Sequence, residues 1–366
     1  MNETPQPLRY QPSYEHAEDD ERETQQKLVD TMRKIQETTY EDGGHAMRSV
    51  HVKSHGHLRG ELRVADGLPP ALAQGLFARP GTYAVAIRLS TSPGDMLDDS
   101  VSTPRGLAMK VLGVQGERLP GSDGDVTQDF VLVNGPAFVK SNAKQFLRTL
   151  EMLAATTDKM EGTKKVISAT MRGAEKLVET TGGKSPALIS MGGQPETNLL
   201  GETYYSQTPF LYGDYMAKLA LAPVSPELTA LTNAPLDVNG RPDALRETVS
   251  DFFRSHGGEW ELRVQLCTDI DAMPIEDAKV VWPEDMSAYV AVATVHAPAQ
   301  QTWSEPDAQR YEDTIAFSPW HGIAAHRPLG SVNRVRRAAY EMAEEFRARR
   351  NRRKVTEPRS LDEIPA

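Results

Sequence analysis

The residues best suited to chemistry lie near the start of the chain, where three histidines fall within seven residues. The segment reads RSVHVKSHGH and holds His51, His55 and His57. In an extended strand their side chains would point to one face, because side chains alternate across a strand. They could bind a metal, one of them could be an acid–base catalyst, or all three could be surface residues. A metal site would need a carboxylate or a further histidine at fixed geometry, and nearby Glu61 fits no recognised pattern.

Three arginines, Arg48, Arg88 and Arg105, fall within sixty residues and bracket the first of these histidines. Guanidinium groups bind carboxylate and phosphate through paired hydrogen bonds, so arginines grouped at the opening of a barrel would suit an anionic ligand. The alternative is that they are separate surface residues with no common role. Their spacing alone leaves both interpretations open.

A tyrosine and two arginines share one face of a predicted helix late in the chain. Arg336 and Tyr340 are four residues apart, and Arg347 follows seven residues after the tyrosine. In an α-helix this spacing places all three on the same side. An arginine one turn from a phenol stabilises the phenolate, the form in which tyrosine binds iron. The alternative is an amphipathic helix that carries a half-buried tyrosine.

The pattern of apolar residues predicts an α+β fold built mainly from antiparallel strands. Alternation of apolar and polar residues predicts strands over 58–65, 83–90, 106–111, 128–134, 215–221, 260–267 and 289–295. Helical spacing predicts helices over 20–39, 242–253 and 331–350, and a longer helical block over 141–181. Such strands, with helices gathered in an insertion and at the end, favour an antiparallel β-barrel. We expect three parts: a polar arm and helix over 1–44, the barrel domain over 45–350, and a polar tail over 351–366.

Composition limits the environment and the partners of the protein. The chain has 366 residues and a net charge of −10, which argues against nucleic acid as a partner. Its one cysteine, Cys267, excludes an intrachain disulfide and a zinc site built from cysteines. No secretory signal and no apolar run long enough for a membrane helix is visible, so a cytoplasmic protein is expected. Residues 1–20, rich in Pro, Glu, Asp and Gln, are expected to form a mobile arm.

Taken in order, seven segments of the chain resemble motifs of the haem catalase superfamily. They are RSVHVK from Arg48, IRLST from Ile87, TPRGLAMK from Thr103, YGDYMAKL from Tyr212, AKVVWP from Ala278, AFSP from Ala316, and the spacing of Arg336, Tyr340 and Arg347. One such string is weak evidence, but seven in the same order between residues 48 and 347 form a specific pattern. The resemblance implies a compact catalase-related protein with a catalase-like antiparallel β-barrel, helical insertions and a C-terminal helix that carries the iron ligand.

The resemblance also implies roles for individual residues around a haem b cofactor. Tyr340 would be the axial iron ligand, held as phenolate by Arg336. His51 would be the distal acid–base catalyst, with its ring oriented by Ser90. Haem contacts are implied for five more residues: Arg48, Arg88 and Arg347 at the propionates, and Val50 and Phe138 against the ring. We therefore expect a haem-dependent peroxidase or catalase-like oxidoreductase that acts on hydrogen peroxide or organic hydroperoxides.

One part of the catalase pattern is missing. Catalases carry an asparagine on the distal side of the haem, and aligning Thr127 with the family threonine puts Val126 at that position, with Gln128 or Asp125 as possible substitutes. Loss of a preorganised hydrogen-bond donor can cost on the order of 10²-fold in rate, which argues against efficient dismutation of hydrogen peroxide. The alternatives are a fatty-acid hydroperoxide isomerase or lyase, a non-catalytic haem-binding or haem-sensing protein, and a barrel without haem. Catalase relatives also suggest a homo-oligomer.

Overall fold

A nine-stranded antiparallel sheet, closed into a barrel, is the main element of the fold. The computed structural model describes residues 6–92, 94, 96–154 and 194–365. The strands are β1 (Lys53–Val64), β2 (Gly81–Thr91), β3 (Arg105–Leu112), β4 (Thr127–Val133), β5 (Tyr204–Tyr205), β6 (Phe210–Tyr212), β7 (Tyr215–Pro223), β8 (Gly258–Leu266) and β9 (Val290–Ala297). They follow the order β5-β4-β3-β2-β1-β9-β8-β7-β6, and a pairing of β5 with β7 closes a ring of eight strands. The predicted antiparallel barrel is confirmed.

Alternating side chains explain why these segments form the barrel wall. In β8, Trp260, Leu262 and Val264 are buried while the residues between them are half-buried. The inward residues of the other long strands join them in one apolar core, so the barrel interior is filled rather than open. All seven predicted strands are present. The two that were not predicted, β5 and β6, are two and three residues long, too short to show a period.

Most of the predicted helices are also present. The α-helices are α1 (Glu21–Gly43), α2 (Ala143–Ala154), α3 (Pro226–Thr229), α4 (Ala244–Phe253), α5 (Glu305–Thr314) and α6 (Ser331–Asn351). Short 3₁₀ helices cover Pro12–Tyr14, Gly75–Phe77, Leu199–Gly201, Ala324–His326 and Leu361–Glu363. The helical block predicted over 141–181 is seen as α2, and its part beyond residue 154 lies outside the described residues. Two helices were not predicted from the sequence: α3, which is only four residues long, and α5, which is polar with few apolar residues.

Helices α1, α2 and α6 form a layer beside the barrel. Their apolar faces meet in a second core, which includes Leu28, Met32, Leu147, Val335 and Phe346. Helix α1 ends where Gly44 adopts a left-handed conformation (φ 69°), which turns the chain towards the barrel. The candidate site lies between this helical layer and the barrel wall.

Both chain ends that the structure describes pack against the barrel. The amide of Leu8 donates to the carbonyl of Cys267 at 2.8 Å, and the Glu15 carboxylate lies 2.8 Å from Arg327. The expectation of a mobile arm is therefore wrong for residues 6–20, because backbone bonds and ion pairs hold them. At the other end Ile364 is buried, and its carbonyl accepts a hydrogen bond from Arg59 at 2.6 Å. No helix in the described part of the chain is long and apolar enough to span a membrane.

Stability is expected to fall between pH 7 and pH 5, because His326 is buried without charge. Its Nε2 accepts a hydrogen bond from the Leu76 amide at 3.0 Å, and burial lowers its pKa from 6.5 to about 4. Between pH 7 and pH 5 the His326 ring therefore takes up a proton in the unfolded chain but not in the folded chain. The free energy of unfolding is for this reason highest above pH 6.5, the unfolded pKa, and declines as the pH falls. The loss from this residue is about 2 kcal/mol.

Urea unfolding at the two pH values measures this effect, with His326→Gln as the matched variant. The glutamine oxygen can accept the same amide hydrogen bond, but it does not titrate. The free energy of unfolding of the variant should depend less on pH than that of the wild-type protein. Equal pH dependence in both proteins would contradict the assignment.

Candidate functional site

A cavity of about 1000 Å³, counting its open mouth, lies between strands β2–β4, the segment that precedes β1, and helix α6. Its apolar lining comes from both sides: Met32, Val50, Ala108, Val131, Leu132, Ala316, Phe317, Ala339 and Ala343. Seven of the nine residues to which the resemblance assigns roles line it, and Arg336 contacts one of them. The polar ones fall into three groups.

The first group lies on helix α6. The Nη2 of Arg336 donates a hydrogen bond to the phenol oxygen of Tyr340 at 2.8 Å, as expected for residues one turn apart. Tyr340 is half-buried and lines the cavity. Arg347 lines the same face and is 4% exposed, and its Nε is buried without a hydrogen-bond partner. The predicted common face of these three residues is present in the structure.

The second group surrounds His51 on the barrel side. His51 has a positive φ of 52°, which is uncommon for a residue other than glycine and is a form of strain found at functional sites. Its Nδ1 lies 3.3 Å from the Ser90 hydroxyl, and a Cβ built on Gly106 would lie only 2.7 Å from the same nitrogen. Burial, with Arg88 and Arg336 nearby, lowers the His51 pKa from 6.5 to about 3, so the ring is neutral at physiological pH.

The third group is a cluster of three arginines at one end of the cavity. Arg48, Arg88 and Arg347 all contact Glu312 of α5, the first two at its carboxylate and the third at its backbone carbonyl. The Arg88 Nε lies 2.7 Å from the Glu312 carboxylate. Burial, followed by repulsion among the arginines, lowers the pKa of Arg48 and Arg88. In the described part of the chain these guanidiniums outnumber the carboxylates that contact them, so the cluster suits an anionic ligand.

The other two histidines of the opening segment do not join His51. Strand β1 begins only at Lys53, and an irregularity between Ser54 and Gly56 breaks the alternation. His55 is fully buried, and its Nε2 lies 3.0 Å from Thr91. His57 stacks on Tyr311 with ring centroids 3.8 Å apart, and its Nε2 lies 3.1 Å from Glu312. The three-histidine metal site is therefore excluded, since each ring has a different set of partners.

Among the described residues, one further group has the spacing of metal ligands, but Lys110 already forms ion pairs with two of its members. Asp129, His321 and Glu357 hold their ligand atoms within 4.8 Å of one another. The Lys110 Nζ lies 2.8 Å from Asp129 and 2.7 Å from Glu357, and both Lys110 and Asp129 are fully buried. His321 lines the cavity wall, and its Nδ1 lies 2.9 Å from Glu357 as an ion pair rather than an aligned hydrogen bond. The contacts of its ring with the two carboxylates outweigh the effect of burial and raise the pKa of His321 to about 10. This is a network of two positive and two negative groups.

Several expected residues lie away from the cavity. Phe138 does not line it; its ring packs edge-on against Phe146 with centroids 4.9 Å apart. Arg105 forms an ion pair with Glu202 instead of joining the arginine cluster. Gln128, a possible substitute for the distal asparagine, accepts from the Ile323 amide at 3.0 Å and donates to the Asp129 carbonyl at 3.1 Å.

Neither Asp125 nor Val126 lines the cavity, and β4 presents Val131 and Leu132 to it instead. Glu312 was not identified from the sequence as a candidate, because its helix α5 was not predicted. Nothing in the local sequence RYEDT indicates that the Glu312 carboxylate contacts distant arginines.

No protein-family model and no curated protein matches the chain. Solved structures do. A fungal catalase has a TM-score of 0.61 at 18% identity, over 90% of this chain and 62% of that one. Catalase A from Saccharomyces cerevisiae has a TM-score of 0.58 at 17% identity, over 95% and 68%. A bacterial catalase has a TM-score of 0.55 at 15% identity, over 85% and 59%. The chain thus has a catalase-related fold and spans about three-fifths of the fungal and bacterial proteins.

Proposed function

Starting from the catalase-related fold, we propose that this protein is a haem-dependent oxidoreductase that acts on hydroperoxides. Tyr340 would be the iron ligand and His51 the distal acid–base residue. One observation carries the proposal: the Tyr340 phenol, with Arg336 donating to it at 2.8 Å, and the His51 ring line the same large cavity. A phenolate supported by an arginine is a known type of protein ligand to haem iron.

The donor set fits haem b. Its propionates are carboxylates that the guanidiniums of Arg48, Arg88 and Arg347 could bind. The buried Nε of Arg347, which has no hydrogen-bond partner, is a donor that such a carboxylate could satisfy. Val50 lines the cavity beside His51 and would pack against the ring. Bound there, haem would supply the iron chemistry that breaks a peroxide O–O bond.

The protein's own part in the reaction would be proton transfer by His51. Because its Nδ1 faces Ser90, its Nε2 is left to meet a hydroperoxide in the cavity. The depressed pKa keeps the ring neutral, so this nitrogen can accept the O–H proton and return it to the departing oxygen. Arg88 helps to hold the His51 backbone in this position by donating a hydrogen bond to its carbonyl at 2.8 Å.

The cavity wall favours organic hydroperoxides over hydrogen peroxide. Among the described residues that line it, none is asparagine or glutamine, and Ala108 and Val131 present apolar surface. An alkyl group would pack against this surface, while the outer oxygen of hydrogen peroxide would find no amide donor. The same observation supports a second candidate function, a fatty-acid hydroperoxide isomerase or lyase, which needs no external reductant.

Stopped-flow spectroscopy of the haem-loaded protein, with hydrogen peroxide and a fatty-acid hydroperoxide in parallel, tests the proposal. We expect faster turnover of the fatty-acid hydroperoxide, a loss of about 10²–10⁴-fold in His51→Ala, and no loss in His256→Ala, which replaces an exposed histidine. Tyr340→Phe should lose the tyrosinate-type absorption. A wild-type rate no faster than that of His51→Ala would refute the proposal. A rearranged product formed without reductant would identify the isomerase or lyase.

A further inference from the structure

Behind Tyr340, a buried asparagine bonds to several different segments of the chain. Asn333 is 3% exposed, and its Nδ2 donates to the carbonyls of Pro209 at 3.0 Å and Leu329 at 2.9 Å. Carbonyls only accept hydrogen bonds, so they fix which side of the amide is nitrogen. The Oδ1 therefore faces the other way, where it accepts from Arg336 Nη1 at 3.3 Å and from the Thr208 hydroxyl at 3.2 Å.

This amide fixes the orientation of the Arg336 guanidinium. The group is planar and rigid, so holding Nη1 at Asn333 also sets the direction of Nη2, which donates to Tyr340. Without the asparagine, only the bond to Tyr340 would orient the guanidinium among the contacts that the structure describes. Asn333 and Arg336 also line a second, smaller cavity.

The same arrangement leaves the charge of Arg336 uncompensated by any acidic side chain. In the described part of the chain, no carboxylate lies within the 4.0 Å ion-pair distance of this guanidinium, although Arg334, two residues earlier, has three such partners. Its partners are a neutral amide and the Tyr340 phenol. No acidic side chain in the described part of the chain therefore competes with the Tyr340 oxygen for the charge of Arg336.

We infer that Asn333 is a positioning residue of the site. It holds the Arg336 guanidinium against Tyr340 through a neutral amide and thereby sets how strongly the phenolate can donate electrons to a metal. A cation hydrogen-bonded to a phenolate withdraws electron density from its oxygen. Releasing Arg336 would make Tyr340 a stronger donor, which favours ferric over ferrous iron. This consequence for iron rests on the proposed function, whereas the positioning of Arg336 does not.

The test compares Asn333→Ala with Thr208→Val. Asn333→Ala removes four buried side-chain hydrogen bonds, including the one from Arg336. Thr208→Val removes only the hydroxyl bonds at the same place and leaves the bond from Arg336 to Asn333 intact. In the haem-loaded protein we expect the Fe(III)/Fe(II) midpoint potential to fall and the phenolate charge-transfer band to shift in Asn333→Ala, with neither change in Thr208→Val. Asn333→Ser is a second variant should the first fail to fold. Its hydroxyl can still donate to one carbonyl but is too short to reach the arginine.

Crystal structures of the haem-free wild-type and variant proteins give a readout that does not depend on the cofactor. We expect the bond between Arg336 and Tyr340 to be present in the wild-type protein and in Thr208→Val, and lost in the Asn333 variants. An Arg336 that stays in place in the Asn333 variants, or equal potentials in all the proteins, would overturn the inference. Failure of the wild-type protein to bind haem would refute the proposed function but leave the crystallographic comparison decisive for Asn333.

Discussion

Gly106→Ala is expected to slow hydroperoxide consumption by the haem-loaded protein about 10²-fold while leaving its fold intact. A Cβ at this position would lie 2.7 Å from His51 Nδ1, closer than real Cβ atoms approach, and 3.1 Å from Ser90 Oγ, which is a tight contact. The backbone need not move, because the His51 ring can swing away, but the ring then leaves the position from which it transfers a proton. Misplacement of a catalytic group by about 1 Å can cost this much in rate.

The control must be a glycine at which the added Cβ of alanine would contact no other atom. Gly43, at the end of α1, has no positive φ, and an added methyl group there would have no atom within 4 Å, so Gly43→Ala is the matched control. Haem absorption and melting temperature should be the same in both variants and in the wild-type protein. Only kcat should separate Gly106→Ala from the others. An unchanged kcat in Gly106→Ala would show that the His51 position does not limit the reaction.

Lys110→Met is expected to lower the free energy of unfolding by about 3–5 kcal/mol, the range measured when one partner of a buried ion pair is removed. Lys110 is fully buried, and its Nζ contacts both carboxylate oxygens of Asp129 and of Glu357. Without the lysine, His321 would be the one described cation left within ion-pair distance of the buried Asp129 carboxylate and the partly buried Glu357 carboxylate. Urea unfolding at pH 7 measures the change. Lys144→Met, which removes an exposed ion pair with Asp20, is the control and should have little effect.

A double variant separates charge from packing. Adding Glu357→Gln to Lys110→Met would leave one imidazolium opposite one carboxylate, so much of the lost stability should return. If the double variant is as unstable as Lys110→Met, the loss comes from the lost hydrogen bonds and altered packing and not from unbalanced charge.

The long elements of this fold could be predicted because their side chains repeat with a clear period. Strand β8 alternates over its whole length, and helix α6 carries Arg336 and Tyr340 one turn apart, as the structure shows. Strand β5 could not be predicted, since two residues carry no period. It nevertheless closes the barrel by pairing with both β4 and β7.

The site was less predictable than the fold, because its polar groups are paired through tertiary contacts. Glu312 lies 224 residues beyond Arg88, on a helix whose sequence is mostly polar, and no local pattern links the two. The irregularity near Ser54 likewise depends on the pairing with β2, so the sequence could not reveal that His55 turns away from His51. Gln128 is a plausible distal donor in the sequence, yet two backbone groups satisfy its amide.

The Lys110 network also implies an order of assembly during synthesis. Lys110 and Asp129 face each other in the β3–β4 pairing, so they can neutralise each other once that hairpin forms. Glu357 follows Lys110 by 247 residues, a delay of about 10–50 s at ordinary translation rates. His321 and Glu357 then add one positive and one negative charge. The growing chain therefore does not carry an unpaired charge in the barrel wall before His321 and Glu357 are synthesised.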